Sequence, residues 1–336
     1  MSRRCLAMRL DGCLLFPGKP ALFSRQAPPR GRPFASFMAV FQLVLPDFLL
    51  IALGWVLFHK LRFSRDFFQG AEKLVYFVLF PALLFQSITQ TPISISGAYT
   101  LLQAVLALAG FGVALAWLAV PVLRPEPVAH ASVAQCAYRF NTYIGLSLAG
   151  PLAGSAGQTI MAILVGFAVP IVNVAAVHAL ARQNGGRIFG EILRNPFIIA
   201  TLAALAFNFL QIPVPAPVDV TLKRLGACAI AIGLLCVGAT LSLQAGRGNG
   251  RLISWMLAVR LLLCPVAALA IGWAMDLSLV ERQMLLLFSA LPPASSAYVL
   301  AARMGGDGRL VAGTMSIGTL ISAATIPLWL MLGATL

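Results

Sequence analysis

The sequence predicts an all-α protein embedded in a membrane, and three observations carry that prediction. Hydrophobic residues fill 60% of the 336 positions and charged residues only 10%, for a mean hydropathy of +0.91. A soluble domain of this length has too much surface to accommodate such a composition, and a disordered chain would be far more polar. Apolar runs of about 20 residues, the length of helix that crosses a bilayer core, recur along the chain. They show none of the short alternating segments that build a membrane barrel.

Residues 1–37 differ in composition from the rest of the chain. They hold Arg3, Arg4, Arg9, Lys19, Arg25, Arg30 and Arg32 against Asp11, with Pro17, Pro20, Pro28, Pro29 and Pro33 interspersed. The apolar patch at 13–16 is shorter than the roughly 7–15 residues of a signal-peptide core. The segment reads as a basic disordered tail, or as sequence upstream of a true start at Met38.

From Met38 onward the chain holds about ten spans, at 39–58, 73–88, 98–122, 130–149, 159–181, 188–210, 220–243, 252–275, 283–303 and 310–332. Turn chemistry separates them, as at 183–186, 213–217 and 246–250. They divide into five spans within 38–184 and five within 185–336. With an odd number in the first set, the second begins on the other side of the membrane and is inverted. Prolines fall at comparable places in both sets: Pro46 and Pro196, Pro121 and Pro265, Pro170 and Pro327. Inverted repeats with matching broken helices are a recurrent architecture of secondary transporters.

Charge gives the orientation. Loops after odd-numbered spans, with the edge of the second span, hold Lys60, Arg62, Arg65, Lys73, Arg124, Arg182, Arg187, Arg194, Arg247, Arg251, Arg303 and Arg309. The opposite side holds Lys223, Arg224 and Arg282. Twelve against three places the odd loops in the cytoplasm and both termini outside. The net charge of +14 therefore reads as orientation rather than nucleic-acid binding. The six cysteines form no CxxC or Cys/His cluster and read as packing, not as metal or disulfide partners.

The fourth span of each half is the poorest helix. In the first, Arg139 lies near the middle with Asn141, Thr142 and Gly145 after it. A guanidinium at that depth costs about 3 kcal/mol on insertion scales, so it must face protein, water or a polar solute. In the second, Pro292 and Pro293 forbid a regular helix, and Ser295 and Ser296 come next. A second half-helix starting at the prolines would aim free N–H groups and its positive dipole end at the membrane interior.

Acidic residues are absent between Glu126 and Glu191 and between Asp219 and Asp276. Cation carriers need carboxylates inside the membrane, so an anion is the expected cargo. The exception, Asp47, is expected near the outer end of the first span, capping it or facing water. His59, His130 and His178 are expected at span ends, in the interface. No HExxH, GxSxG or GxxxxGK[ST] motif occurs, so neither an enzyme nor a metal or other cofactor is expected.

The two broken spans resemble those of the auxin efflux carrier family. The resemblance lies in Asn141–Thr142–Tyr143–Ile144–Gly145–Leu146–Ser147, with Ser147 where the family commonly has Pro, and in Leu291–Pro292, Tyr298–Ala302 and Gly305–Asp307. The last stretch, ending at Ser322–Pro327, is also similar. It implies a ten-helix fold of two inverted five-helix repeats in which helices 4 and 9 cross, with Asn141 and Pro292 marking the crossing. Helices 1, 2, 6 and 7 would form a scaffold and the others a mobile unit. The family moves organic anions: auxin in plants, malate- or malonate-like carboxylates in proposed bacterial cases. Ser147 and the Pro292–Pro293 doublet depart from the plant signature.

The expectation is a multi-pass protein of a bacterial inner membrane that carries a small mono- or dicarboxylate by alternating access. Arg139, Asn141, Thr142, Gly145, Pro292, Pro293, Ser295 and Ser296 would bind it. The alternatives are a sodium-coupled symporter of similar fold and an anion channel, which would need a charged lining ring. The expected partners are the anion and the lipid bilayer, and the small residues on many helices also leave room for a homodimer.

Overall fold

A computed structural model describes residues 33–90, 94–181, 196–241 and 249–335, and every regular element among them is a helix. Helix α1 (Pro33–His59) runs through Met38, so regular structure begins five residues before the expected start. Residues 1–32, the bulk of the basic segment, lie outside the described residues.

Ser64 starts α2 (Arg65–Leu74), its hydroxyl accepting from the Phe67 N–H at 3.1 Å. The helix continues through a π turn (Val75–Leu79) into α3 (Phe80–Gln90). The expected start at Lys73 marks only where the sequence becomes apolar. The N-cap and an amphipathic opening turn carry the helix back to Arg65. Next, α4 (Ile95–Leu123) is capped by Ser94 and ended by Arg124 in the left-handed conformation (φ 48°, ψ 52°).

After α4 come α5 (Pro127–Val133) and α6 (Gln135–Tyr138), then α7 (Thr142–Ala181). The run α7 is not one rod, because Ala153 (φ −139°, ψ 22°) and Gly154 (φ 63°, ψ −153°) leave helical geometry. A Cβ placed on Gly157 would lie 2.7 Å from the carbonyl oxygen of Ala149. Eight residues of straight helix would separate them by about 12 Å. The chain therefore folds back at 153–154, between the expected spans 130–149 and 159–181.

The second part of the chain comprises α8 (Pro196–Phe209), α9 (Ala216–Thr240) and α10 (Gly250–Ala258). A second π turn (Val259–Leu263) leads into α11 (Cys264–Ala274). Beyond it lie α12 (Leu279–Ala290), opened by a Ser278–Glu281 capping box, α13 (Ala297–Arg303) and α14 (Gly308–Thr335). The expected turn at 183–186 and the start of the span at 188 lie outside the described residues.

Among the described residues, six helical runs are long and apolar enough to cross a membrane, and Val44–His59 and Ile199–Phe209 are shorter apolar helices. Leu49, Phe77, Tyr99, Leu202 and Trp273 are exposed on the outside of the bundle. Such a surface suits acyl chains and not water. The protein is a multi-pass membrane protein.

Helices α1 and α9 touch backbone to backbone. A Cβ on Gly54 would overlap the Leu235 carbonyl oxygen, and one on Gly238 would overlap that of Ile51. Small residues that let backbones approach are a main source of helix association in lipid. Gly238→Ala is expected to cost about 1–3 kcal/mol by overpacking. Thermal unfolding in detergent measures it.

Candidate functional site

Each broken span is interrupted at a residue whose backbone is extended. Arg139 (φ −81°, ψ 143°) ends α6, and Asn141 then caps α7, its Oδ1 accepting from the N–H groups of Tyr143 at 3.0 Å and Ile144 at 3.3 Å. On the other strand of the crossing Leu291 (φ −62°, ψ 144°) ends α12. The half-helix expected to start at the prolines starts instead at Ala297, after a turn in which the Ala297 N–H reaches the Ala294 carbonyl at 3.1 Å. Two successive prolines hold the residues before them extended and supply no N–H, so helix resumes only beyond them.

The two interruptions lie against each other in opposite chain directions. Ser132 Oγ accepts from the Asp307 N–H at 2.8 Å. Arg139 Nη2 donates to Ser296 Oγ at 3.0 Å. The Asn141 N–H donates to the Pro292 carbonyl at 2.8 Å. A Cβ on Gly145 would lie 2.8 Å from Leu291 Cδ1. As one chain ascends from 132 to 145, the other descends from 307 to 291.

Of the residues expected from the sequence, Arg139, Asn141, Gly145, Pro292 and Ser296 meet at this crossing. Thr142 is half-buried as the first residue of α7. Pro293 is turned to α14, where a Cβ on Gly318 would lie 2.8 Å from its Cδ. Ser295 is buried but makes none of the crossing bonds.

Two guanidinium groups gather here without an ion pair to a carboxylate. Arg139, 8% exposed, also donates through Nη1 to Gln135 Oε1 at 2.6 Å. Arg260, 2% exposed, donates through Nε to the Leu291 carbonyl at 2.7 Å and through Nη2 to that of Phe288 at 2.6 Å. Those carbonyls are the ones the end of α12 leaves without helical partners, where a cation also meets the negative end of the helix dipole. The Arg260 guanidinium carbon lies 5.9 Å from the centre of the Phe140 ring, between Arg139 and Asn141 in sequence. Among the described residues neither guanidinium has a carboxylate within 4 Å, and the ion pair that does form, Lys223–Asp219 at 3.0 Å, lies on α9.

Asn141 Nδ2 is buried with no hydrogen-bond partner. Its orientation is fixed, because Oδ1 is committed to two backbone N–H groups. An orphaned buried donor beside guanidinium groups suits an acceptor-rich solute.

The sequence reading overlooked Arg260, although it sits in as apolar a run as Arg139 does. Two side chains expected at water or in the interface are buried instead. Asp47 neither caps a helix nor faces water: it lies within α1, 8% exposed, with the Ser147 hydroxyl donating to its Oδ2. The cause is that α1 starts well before residue 39. His130 is 4% exposed, its Nε2 at 2.9 Å from the Ala116 carbonyl and its ring edge-on to Trp117, because α5 packs back against α4.

Comparisons with known proteins find transporters among the relatives of this chain. The chain is 27% identical over 309 residues to a protein of Rhizobium meliloti strain 1021 named "Putative malonate transporter", an alignment covering 84% of this chain and 92% of the relative. It is 24% identical over 302 residues to the uncharacterized transporter YfdV of Escherichia coli K12, covering 85% and 95%. An uncharacterized transporter of Methanothermobacter thermautotrophicus is 23% identical over 299 residues, covering 87% and 98%. The signature described as "Membrane transport protein" matches residues 39–189 and 185–330, nearly the whole described chain. The chain is a member of this membrane transport protein family, the auxin efflux carriers, and is a transporter rather than an enzyme.

Proposed function

We propose that the protein is a secondary carrier that moves a small mono- or dicarboxylate across a bacterial inner membrane by alternating access at the crossing. The observation that carries this reading is that Arg139 and the unpartnered Asn141 Nδ2 lie at one crossing where no carboxylate stands within 4 Å of the guanidinium. A carboxylate would accept from both, and its charge would offset guanidinium groups that the bilayer otherwise penalises. The malonate in the Rhizobium relative's name falls within this class.

The reading includes ten spans in two inverted sets, 38–184 and 185–336, with the termini outside the cytoplasm. The α6–α7 break in one set would be the counterpart of the α12–α13 break in the other. A membrane potential, negative inside, favours anion export by about 2.3 kcal/mol per charge per 100 mV.

Proteoliposomes loaded with malonate or malate test the reading. Saturable flux that responds to an imposed potential is expected, and choline should not compete. Asn141→Asp keeps the acceptor that caps α7 but replaces the free donor with a negative charge. It is expected to lower flux at subsaturating malonate about tenfold or more while the protein stays folded. Unchanged flux in that variant would place the anion elsewhere.

A further inference from the structure

Among the described residues Asp47 is the one carboxylate buried deep in the bundle, and the crossing does not use it. Its α1 packs against α9, α14 and α7. The contact made by its side chain joins α1 to α7, through Ser147, six residues beyond Asn141. The Ser147 hydroxyl lies within reach of two acceptors, Asp47 Oδ2 and the Ile144 carbonyl at 2.9 Å. A hydroxyl owns a single hydrogen.

With Asp47 ionised, that hydrogen serves one contact and leaves the other as lone pair facing lone pair. With Asp47 protonated, Oδ2 donates to Ser147 and Ser147 donates to Ile144, and both contacts hold a hydrogen. Charge distribution agrees. Asp219 and Lys223 of α9 pair with each other at 3.0 Å, and Arg224 of α9 and Arg309 of α14 are exposed. Cys228 of α9 is exposed, and Cys236 is directed to the Phe68 carbonyl. On α7 the Tyr143 ring stacks on Phe80 and His178 is exposed, while His59 of α1 bonds the Trp55 carbonyl. None of these supplies a cation within 4 Å of Asp47. A buried carboxylate ion without a partner is strongly disfavoured in a membrane interior.

We infer that Asp47 is a proton-binding site that couples anion passage to proton passage in the same direction; this rests on the anion-carrier reading. In the step, water on one side gives a proton to Oδ2, an O–H bond forms, and the carboxyl becomes neutral. On the other side the O–H bond breaks, the proton returns to water, and nothing is oxidised or reduced. The sign of coupling follows from charge. Ser147 stands about 9 Å along α7 from Asn141, so an anion at the crossing and a negative Asp47 repel. Each ligand therefore favours the form that holds the other, which is symport.

The full chain in proteoliposomes provides the test. Infrared spectra at neutral pH are expected to show the C=O stretch of a protonated carboxyl that is missing in Asp47→Asn and shifted in Ser147→Ala. A wild type without that band, or a band unmoved in both variants, overturns the proton site whatever the protein transports. Inward malonate flux is expected to acidify the lumen beyond protein-free vesicles. At subsaturating malonate it should rise up to about tenfold per unit fall in pH, the limit for one linked proton. That slope is expected to vanish in Asp47→Asn. Malonate flux without proton movement, or the wild-type slope in the variant, overturns the coupling and leaves the carrier reading standing. Absence of any carboxylate flux removes both.

Discussion

Arg260→Ala is expected to lose about 3–5 kcal/mol of stability, the largest single-residue effect on the fold. The guanidinium holds the Leu291 and Phe288 carbonyls at the end of α12, and both are backbone groups that cannot turn elsewhere. In lipid there is no water to replace the lost donors. Removing a buried cation also removes its desolvation cost, which would oppose the loss. That cost is present in the membrane-inserted unfolded chain as well, so it largely cancels, and the unsatisfied carbonyls decide the sign. Arg260→Lys retains the charge but not the fork, and should recover only part of the loss. The midpoint of thermal unfolding in detergent gives the ranking wild type, Lys, Ala. An alanine variant that melts within a degree or two of wild type would show that other donors reach these carbonyls.

Arg139→Ala is expected to act on transport instead. Its hydrogen bonds go to two side chains, Gln135 Oε1 and Ser296 Oγ, and to no backbone carbonyl. Stability should change little. The loss of a charged donor to the anion is worth about 2–3 kcal/mol, which corresponds to an affinity roughly 30–150-fold weaker. Half-saturation for malonate in proteoliposomes reads it directly, and Arg139→Lys should fall between. An unchanged half-saturation in Arg139→Ala would remove this residue from the site.

Much of the fold was legible in the sequence because bilayers read sequences simply. Long apolar runs marked the helices, and the Pro292–Pro293 doublet and Arg139 located both interruptions within a few residues. What escaped was relational. Arg260 carries the same cost as Arg139 in an apolar run, but its role exists only once α12 ends beside it. The Ser147–Asp47 contact spans 100 residues of chain and leaves no periodic trace. The π turns at Val75–Leu79 and Val259–Leu263 preserve hydrophobic continuity, so hydropathy does not register them. The second even leaves the Leu261 carbonyl to accept from the Trp329 indole at 2.8 Å. Amphipathic opening turns, as at Arg65, are likewise invisible to a search for apolar length.

Gly154 decides a question of parity. Had residues 142–181 continued as one straight helix, it would reach about 60 Å, twice the hydrocarbon thickness of a bilayer. Every later segment would then emerge from the opposite face, and each loop would meet the other compartment. The reversal depends on φ 63° and ψ −153° at this residue, a conformation essentially confined to glycine. Beyond the adjoining stretch of chain no atom lies within 4 Å of where a Cβ would stand, so the restriction is torsional and not crowding by packed neighbours. The sidedness of the whole second half thus hangs on a residue with no side chain to be recognised by.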